Sequence, residues 1–133
     1  MFFHLKINTP SGLYFDGEVE SMTIRTSNGE LTILAHHQEM IANVEISKLL
    51  LRSKGNSHVF ACGGGVLTCK DNEVHLLINS IEAPDEIDVA RALKEKEDAE
   101  KLKVVANSAE EIKLAEYKLQ KALNRLKVSE KDL

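Results

Sequence analysis

The sequence predicts a mostly β protein of the α+β class, in which an N-terminal antiparallel β-sandwich (residues 1–84) precedes a C-terminal antiparallel two-helix hairpin (residues 85–133). All 7 glycines, both cysteines and all 5 histidines of the 133 residues lie before Pro84. In that part, short segments of alternating apolar and polar residues recur between turn signals. Residues 85–133 include neither Gly nor Pro and are rich in Ala, Leu, Lys and Glu, which favour helices.

The first half is predicted to form a series of short strands. Phe3–Asn8 alternates apolar and polar residues with period 2, as a half-buried strand does. The later segments of this kind are Leu13–Glu20, Ser21–Thr26, Glu30–Leu34, Val44–Arg52, His58–Cys62, Val66–Cys69 and Glu73–Ile78. Turn signals such as Ser27-Asn28-Gly29 separate them, because Asn and Gly tolerate positive φ. This spacing, about 8–12 residues, is typical of an antiparallel sandwich or barrel.

Two helices are predicted after Pro84. Asp85 is the expected N-cap of the first, which should end near Val105. Ser108, with Glu111 three residues later, predicts a capping box at the start of the second. The apolar positions expected to face a partner are Val89, Leu93, Ala99 and Leu102 on the first helix and Ile112, Ala115, Leu119, Ala122 and Leu126 on the second. The short connection predicts an antiparallel hairpin, too small and too rich in alanine to be stable alone.

Composition and charge exclude several classes of protein. The net charge of −4 disfavours general nucleic-acid binding, which needs a basic surface. No stretch approaches the roughly 20 apolar residues of a membrane span, and the first residues lack the features of a signal peptide. Two cysteines are too few for a disulfide framework. We therefore expect a cytoplasmic protein without direct membrane insertion.

The histidines, cysteines and glycines do not predict a metal or catalytic site. His36 and His37 are adjacent, so on a strand their side chains point to opposite faces. Cys62 and Cys69 lack the spacing of a zinc site, and nothing indicates an activated thiol. The run of three glycines from Gly63 lacks the Lys-Ser/Thr ending of a phosphate-binding loop. We expect neither catalytic residues nor a metal.

Five motifs, in order along the whole chain, resemble the epsilon subunits of bacterial-type rotary F-type ATP synthases. They are Phe15–Glu20, Gly29–Leu34 with His37, Gly63–Val66, Ile87–Ala92 and Ala122–Leu126. Each motif alone is weak, whereas their order and spacing together are specific. The sequence departs from the family at Ala35-His36, where the family usually has Pro-Gly.

The resemblance implies a noncatalytic central-stalk subunit. Its sandwich would link the gamma shaft to the membrane ring of c subunits, and its helices would inhibit ATP hydrolysis. It would act as a peripheral protein at the cytoplasmic face of the membrane, in a complex that couples hydrogen-ion or other ion transport to ATP synthesis. Asn28, Gly29, Glu30 and His37 are the implied partner contacts; the other interpretation of these residues is an ordinary solvated turn and loop.

The start of the first helix has two interpretations. Asp88 suits the helix dipole and Arg91 follows as its ion-pair partner, which is sufficient explanation by itself. Some family members, however, bind ATP here. The residues that match their site are Glu82, Asp88, Arg91 and Arg125. Asp98 and Lys121 stand where that site has arginines, so ATP is implied only as a weak regulatory ligand and no cofactor is required.

Lys118, Lys121 and Arg125 share one face of the second helix by its ~3.6-residue period. The simplest interpretation is a solvated charged face. The resemblance implies instead that the hairpin extends and places these residues against the catalytic alpha and beta subunits. A rival function from another class is a free-standing ATP-sensing module, in which the hairpin is the sensor and the sandwich its scaffold.

Overall fold

The structure is a computed structural model that describes residues 1–130, so the last three residues of the predicted hairpin lie outside the described residues. The chain divides into two compact units, Met1–Glu82 and a second that begins at Ala83. The described residues contain ten strands and two α-helices, which confirms the predicted fold class.

The first unit is an all-β body. Its strands are β1 (Phe3–Thr9), β2 (Gly12–Val19), β3 (Ser21–Thr26), β4 (Gly29–Leu34), β5 (Met40–Val44), β6 (Ser47–Ser53), β7 (Asn56–Cys62), β8 (Gly65–Lys70), β9 (Glu73–Ile78) and β10 (Ile81–Glu82). They hydrogen-bond in the order β10-β7-β6-β3-β5-β8-β9-β1-β2, and β4 pairs with β3. All pairs are antiparallel except β1 with β9.

One apolar core lies inside this unit. Every strand contributes to it, because alternate residues point inwards. The largest fully buried side chains include Phe3, Leu5, Met22, Leu49 and Leu76. The sheet therefore folds over on itself, and its two halves bury their inner faces against each other.

The prediction of a single strand over Val44–Arg52 is wrong, because this segment belongs to two strands. β5 ends at Val44 and pairs with β8, whereas β6 begins at Ser47 and pairs with β3 and β7. The hydroxyl of Ser47 donates to the carbonyl of Glu45 (2.9 Å) where the chain changes direction. The sequence hid this change, because Val44, Ile46 and Leu49 keep apolar residues recurring across the junction.

Two neighbouring strands approach each other closely at Gly65. A Cβ built on this glycine would lie 1.9 Å from the carbonyl oxygen of Leu77 and 2.7 Å from the Cα of Ile78. Both obstacles are backbone atoms of β9 and cannot rotate aside. Only glycine therefore fits at the start of β8.

The second unit begins with a short 3₁₀ turn (Pro84–Glu86), followed by α1 (Val89–Val105) and α2 (Ala109–Glu130). The predicted N-cap Asp85 is wrong: Asp88 caps α1, because the intervening Ile87 is extended and buried. The capping role of Ser108 is confirmed, since its hydroxyl accepts the backbone N–H of Glu111 (3.1 Å). The Glu111 carboxylate in turn accepts from the Ser108 hydroxyl (3.3 Å).

The two helices pack through alanines. Ala92 and Ala99 of α1 and Ala115 and Ala122 of α2 are buried, each pair being seven residues apart. The prediction that Val89 and Leu93 of α1 face the partner helix is wrong, because these side chains are 45% and 47% exposed. The prediction favoured the larger apolar side chains, whereas small side chains allow two helix backbones to approach closely. Leu119 and Leu126 are half-buried beside the alanines as predicted, and Ile112 is exposed at the edge.

Gly65→Ala is expected to destabilise the sandwich by about 3 kcal/mol, because the methyl group would overlap the backbone of β9. Gly64→Ala is the matched control, since its Cβ would meet only the carbonyl of Val44 at 3.3 Å. Chemical denaturation followed by circular dichroism measures both. Equal stability of the two variants would contradict the close approach.

Candidate functional site

The first predicted contact is the turn between β3 and β4. Thr26 and Gly29 are paired across it, and the Thr26 hydroxyl donates to the carbonyl of Gly29 (2.8 Å). The same hydroxyl accepts the backbone N–H of Asn28 (3.2 Å). Gly29 has a φ of 112°, which L side chains rarely adopt. The turn is thus held rigidly by its own residues, and Asn28 and Glu30 are exposed for contact.

The second predicted contact, the loop around His37, joins β4 to β5. Asn72 anchors this loop, because its side-chain oxygen accepts the backbone N–H of His36 (2.7 Å) while its amide donates to the carbonyl of Phe2 (3.0 Å). His36 has a positive φ of 62°. The Nδ1–H of His37 donates to the carbonyl of Gln38 (2.9 Å), and the ring is half-buried. The loop is therefore shaped without the Pro-Gly that is usual in the family.

The structure does not bring these two contacts together. The turn precedes β4 and the His37 loop follows it, so the six residues of β4 separate them. At about 3.3 Å per residue, they lie roughly 20 Å apart at opposite ends of the strand. One partner surface would have to be extended to reach both, whereas two partners at the two ends would each reach one.

An apolar stripe crosses the outer face of the sheet, and sequence reasoning missed it. We use the name outer stripe for the exposed side chains Leu13 of β2, Ile41 of β5, Val66 of β8 and Leu77 of β9. Val66 is paired directly with Leu77, whereas Leu77 and Leu13 are both paired with Asn8 of β1. Ile41 is paired with Thr68, two residues from Val66 on the same face.

The side chains of the outer stripe are apolar and largely exposed, which is a feature of binding surfaces. Ile41 is 77% exposed and Leu77 is 53% exposed. Exposed apolar side chains grouped on one face of a sheet are typical of protein interfaces. A signal was present in the sequence, because Met40-Ile41 and Leu76-Leu77 are adjacent apolar pairs in strands that otherwise alternate. Such pairs indicate that both faces of a strand are apolar.

A charged cluster lies on the hairpin. Nη1 of Arg125 on α2 lies 2.6 Å from Oε1 of Glu95 on α1, and Nε of Arg91 lies 3.7 Å from Oε2 of the same carboxylate. The structure therefore brings two of the predicted nucleotide-binding residues together. Glu95, which sequence reasoning missed, lies between them; its position four residues after Arg91 was the available signal.

The other predicted residues of that set are placed differently. The Asp88 carboxylate accepts the backbone N–H of Arg91 (3.0 Å), so the predicted ion pair of Asp88 with the Arg91 side chain is wrong. The cap is satisfied by the nearer backbone donor, and the guanidinium reaches forward one helical turn to Glu95 instead. Glu82 belongs to the first unit, in β10, where it is paired with Ala61 of β7.

The predicted basic face of α2 is only partly available. Lys118 is exposed and Lys121 is half-buried. The Arg125 side chain is 13% exposed and engaged with Glu95. In this arrangement Arg125 contributes little to the exposed basic face that the sequence predicts on α2.

Metal-binding and thiol chemistry find no support in residues 1–130. This part of the chain has no group of three or more His, Cys, Asp or Glu residues arranged to hold a metal ion. Neither helix, over the same residues, is long and apolar enough to cross a membrane. Cys62 and Cys69 are both buried, and burial raises the pKa of each thiol, that of Cys62 to about 12. Neither thiol is therefore an activated nucleophile.

Comparisons with known proteins cover both units. Residues 2–84 match the β-sandwich domain of the ATP synthase delta/epsilon chain, and residues 85–130 match its long α-helix domain. The ATP synthase epsilon chain of Caldicellulosiruptor bescii is 36% identical over 98% of this chain and 95% of its own length. That of Ruminococcus albus is 36% identical over 97% of both chains.

Solved structures share the fold. A chain of the Euglena gracilis mitochondrial ATP synthase, in a structure of OSCP, F1 and the c-ring, superposes with a TM-score of 0.76 and 21% identity over 87% of this chain and 74% of that chain. A chain from the central stalk and c-ring of the Tetrahymena thermophila mitochondrial enzyme gives 0.70 and 18% over 95% of both chains.

An all-β unit with exposed apolar side chains, followed along the chain by a helical hairpin, is typical of a subunit of a larger assembly. The chain belongs to the ATP synthase delta/epsilon family, and its full-length relatives are bacterial epsilon chains. It is thus a subunit of the synthase and not itself a catalyst.

The stability of the sandwich is expected to fall as the pH rises from about 9 to about 12. Burial raises the pKa of Cys62 from 9.0 to about 12, so the folded chain keeps a proton that the unfolded chain releases. The stabilisation is complete below pH 9 and is lost above it, at about 1.4 kcal/mol per pH unit. Urea denaturation at pH 8, 9.5 and 10.5 measures the slope.

Cys62→Ala is the control for this pH dependence, because alanine has no proton to release. The variant should lose stability less steeply above pH 9, whatever its stability at pH 8. Identical slopes for the two proteins would contradict the role of the buried thiol.

Proposed function

We propose that this chain is the rotor subunit that links the gamma shaft to the ring of c subunits, and that its hairpin restrains ATP hydrolysis. The observation that carries the proposal is the full-length match to bacterial epsilon chains, which spans both units. The rotor would couple hydrogen-ion or other ion transport to ATP synthesis. It would act at the cytoplasmic face of the membrane as a peripheral protein.

The sandwich has the mechanical properties that such a link requires. Its strands form one continuous hydrogen-bonded path around a single core, so torque applied at one surface is transmitted without hinge motion. The outer stripe is the proposed docking surface for gamma, because apolar surface is buried favourably in a permanent interface. The rigid turn at Asn28 and Glu30 and the anchored loop at His37 are proposed as further contacts to gamma and to the ring.

The hairpin has the properties of a part that changes conformation. Its buried interface consists mainly of alanines, which bury little apolar area. The closed and extended forms would need to differ by only a few kcal/mol for conditions to shift their populations. On extension Arg125 would leave Glu95 and join Lys118 and Lys121, restoring the basic face that would contact the alpha and beta subunits.

A second candidate, regulation by ATP, draws support from the convergence of Arg91 and Arg125. Forked, permanently charged side chains suit phosphate. Glu95 already occupies the space between them, which favours weak binding at most. A free-standing ATP sensor would bind ATP tightly by titration calorimetry and would not co-purify with gamma, whereas a rotor subunit would co-purify with gamma.

Leu77→Lys is expected to weaken association with the gamma subunit at least about tenfold, because it would place a charge inside an apolar interface. The sandwich itself should remain folded, since Leu77 is 53% exposed. Leu34→Lys is the matched control, because Leu34 is 57% exposed on β4, outside the outer stripe. Biolayer interferometry with purified gamma measures both. Equal affinities would argue against the outer stripe as the gamma surface.

Removal of residues 86–133 is expected to raise ATP hydrolysis by the reassembled complex severalfold, because no hairpin remains to block rotation. The sandwich should still assemble, since its core draws on residues 1–81 alone. Initial rates with the full-length and truncated chains test this expectation. Unchanged hydrolysis in complexes of equal subunit content would count against regulation by the helices.

A further inference from the structure

Glu95 is placed to hold the hairpin closed. Its two carboxylate oxygens face different arginines, Oε1 towards Arg125 on the opposite helix and Oε2 towards Arg91 on its own helix. The contact to Arg125 is a direct charge-assisted hydrogen bond of 2.6 Å. Hydrogen bonds between two ionised groups are the stronger ones in proteins.

The burial of Arg125 distinguishes this contact from the ion pair of Lys103 with Glu116, which also joins the two helices. Arg125 is 13% exposed, whereas the pair of Lys103 with Glu116 joins side chains that are 48% and 55% exposed, at 3.6 Å. Exposed pairs of that kind contribute little, because water screens them. Removal of an anionic partner costs more at a guanidinium that is largely removed from water.

The alanine interface increases the importance of this contact. Ala92, Ala99, Ala115 and Ala122 bury few methyl groups, so apolar burial contributes less here than a seam of leucines would. A single well-placed ionic contact is then a larger share of what holds the helices together. The Glu95–Arg125 contact also depends on the conformation of the hairpin, since it forms only when Arg125 faces α1.

We propose that Glu95 is the clasp of the hairpin: it binds Arg125 across the interface and Arg91 along its own helix, and its release is the step that allows the helices to separate. The inference goes beyond the proposed rotor function, because it concerns the purified chain by itself. Its failure would leave the association with gamma untouched, and loss of that association would leave the clasp untouched.

Hydrogen exchange of the full-length chain, followed by mass spectrometry, tests the clasp. Glu95→Gln keeps the shape of the side chain and removes its charge. It should accelerate exchange of α2 amides about tenfold or more, while peptides from the strands exchange as before. Glu116→Gln is the matched control, because it removes the same charge from the exposed interhelical pair; it should change α2 exchange by less than about threefold.

A charge swap separates the clasp from general damage to the hairpin. Glu95→Arg combined with Arg125→Glu reverses the interhelical pair, at the cost of a weak repulsion between Arg91 and the new arginine four residues later. The double variant should return α2 exchange to within about threefold of the original chain, whereas each single change should not. Equal acceleration by Glu95→Gln and Glu116→Gln, or failure of the swap to restore protection, would overturn the proposal.

Discussion

The first unit depends on β3 pairing with different strands at its two ends. Its first residues pair with β6, and its last, Thr26, pairs with Val44 of β5. This one strand therefore joins the two halves of the sheet, which lets them close over a shared core. The backbone N–H of Glu20 donates to the carbonyl of Arg52 (2.8 Å) and so ties the start of β3 to β6. The outer stripe and both contact loops are positioned by this closure.

The hairpin follows a different physical rule, in which small side chains set the geometry and polar contacts decide how firmly it holds. Alanines at seven-residue spacing bring the helices together, and the larger apolar side chains Val89 and Leu93 remain exposed. A rigid core and a lightly held pair of helices thus occur in one chain. This contrast suits a subunit that must transmit force with one part and change conformation with the other.

Local signals in the sequence were reliable where short-range chemistry decides the structure. Period-2 alternation predicted Phe3–Asn8, and the hydroxyl and carboxylate of Ser108 and Glu111 predicted the start of α2. Predictions failed where a choice between neighbours depended on distant partners. The segment Val44–Arg52 divides because β5 and β6 pair with different strands, and Asp88 rather than Asp85 caps α1 because Ile87 is buried.

By itself, the sequence determined the fold class and the resemblance to a family, because these depend on composition, periodicity and motif order along the chain. Only the tertiary structure decided which side chains meet. It aligned Val66, Leu77 and Leu13 into the outer stripe, and it placed Glu95 between two arginines. The physical reason is that strand register and helix-face contacts arise from pairings between residues far apart in sequence, which no local pattern records.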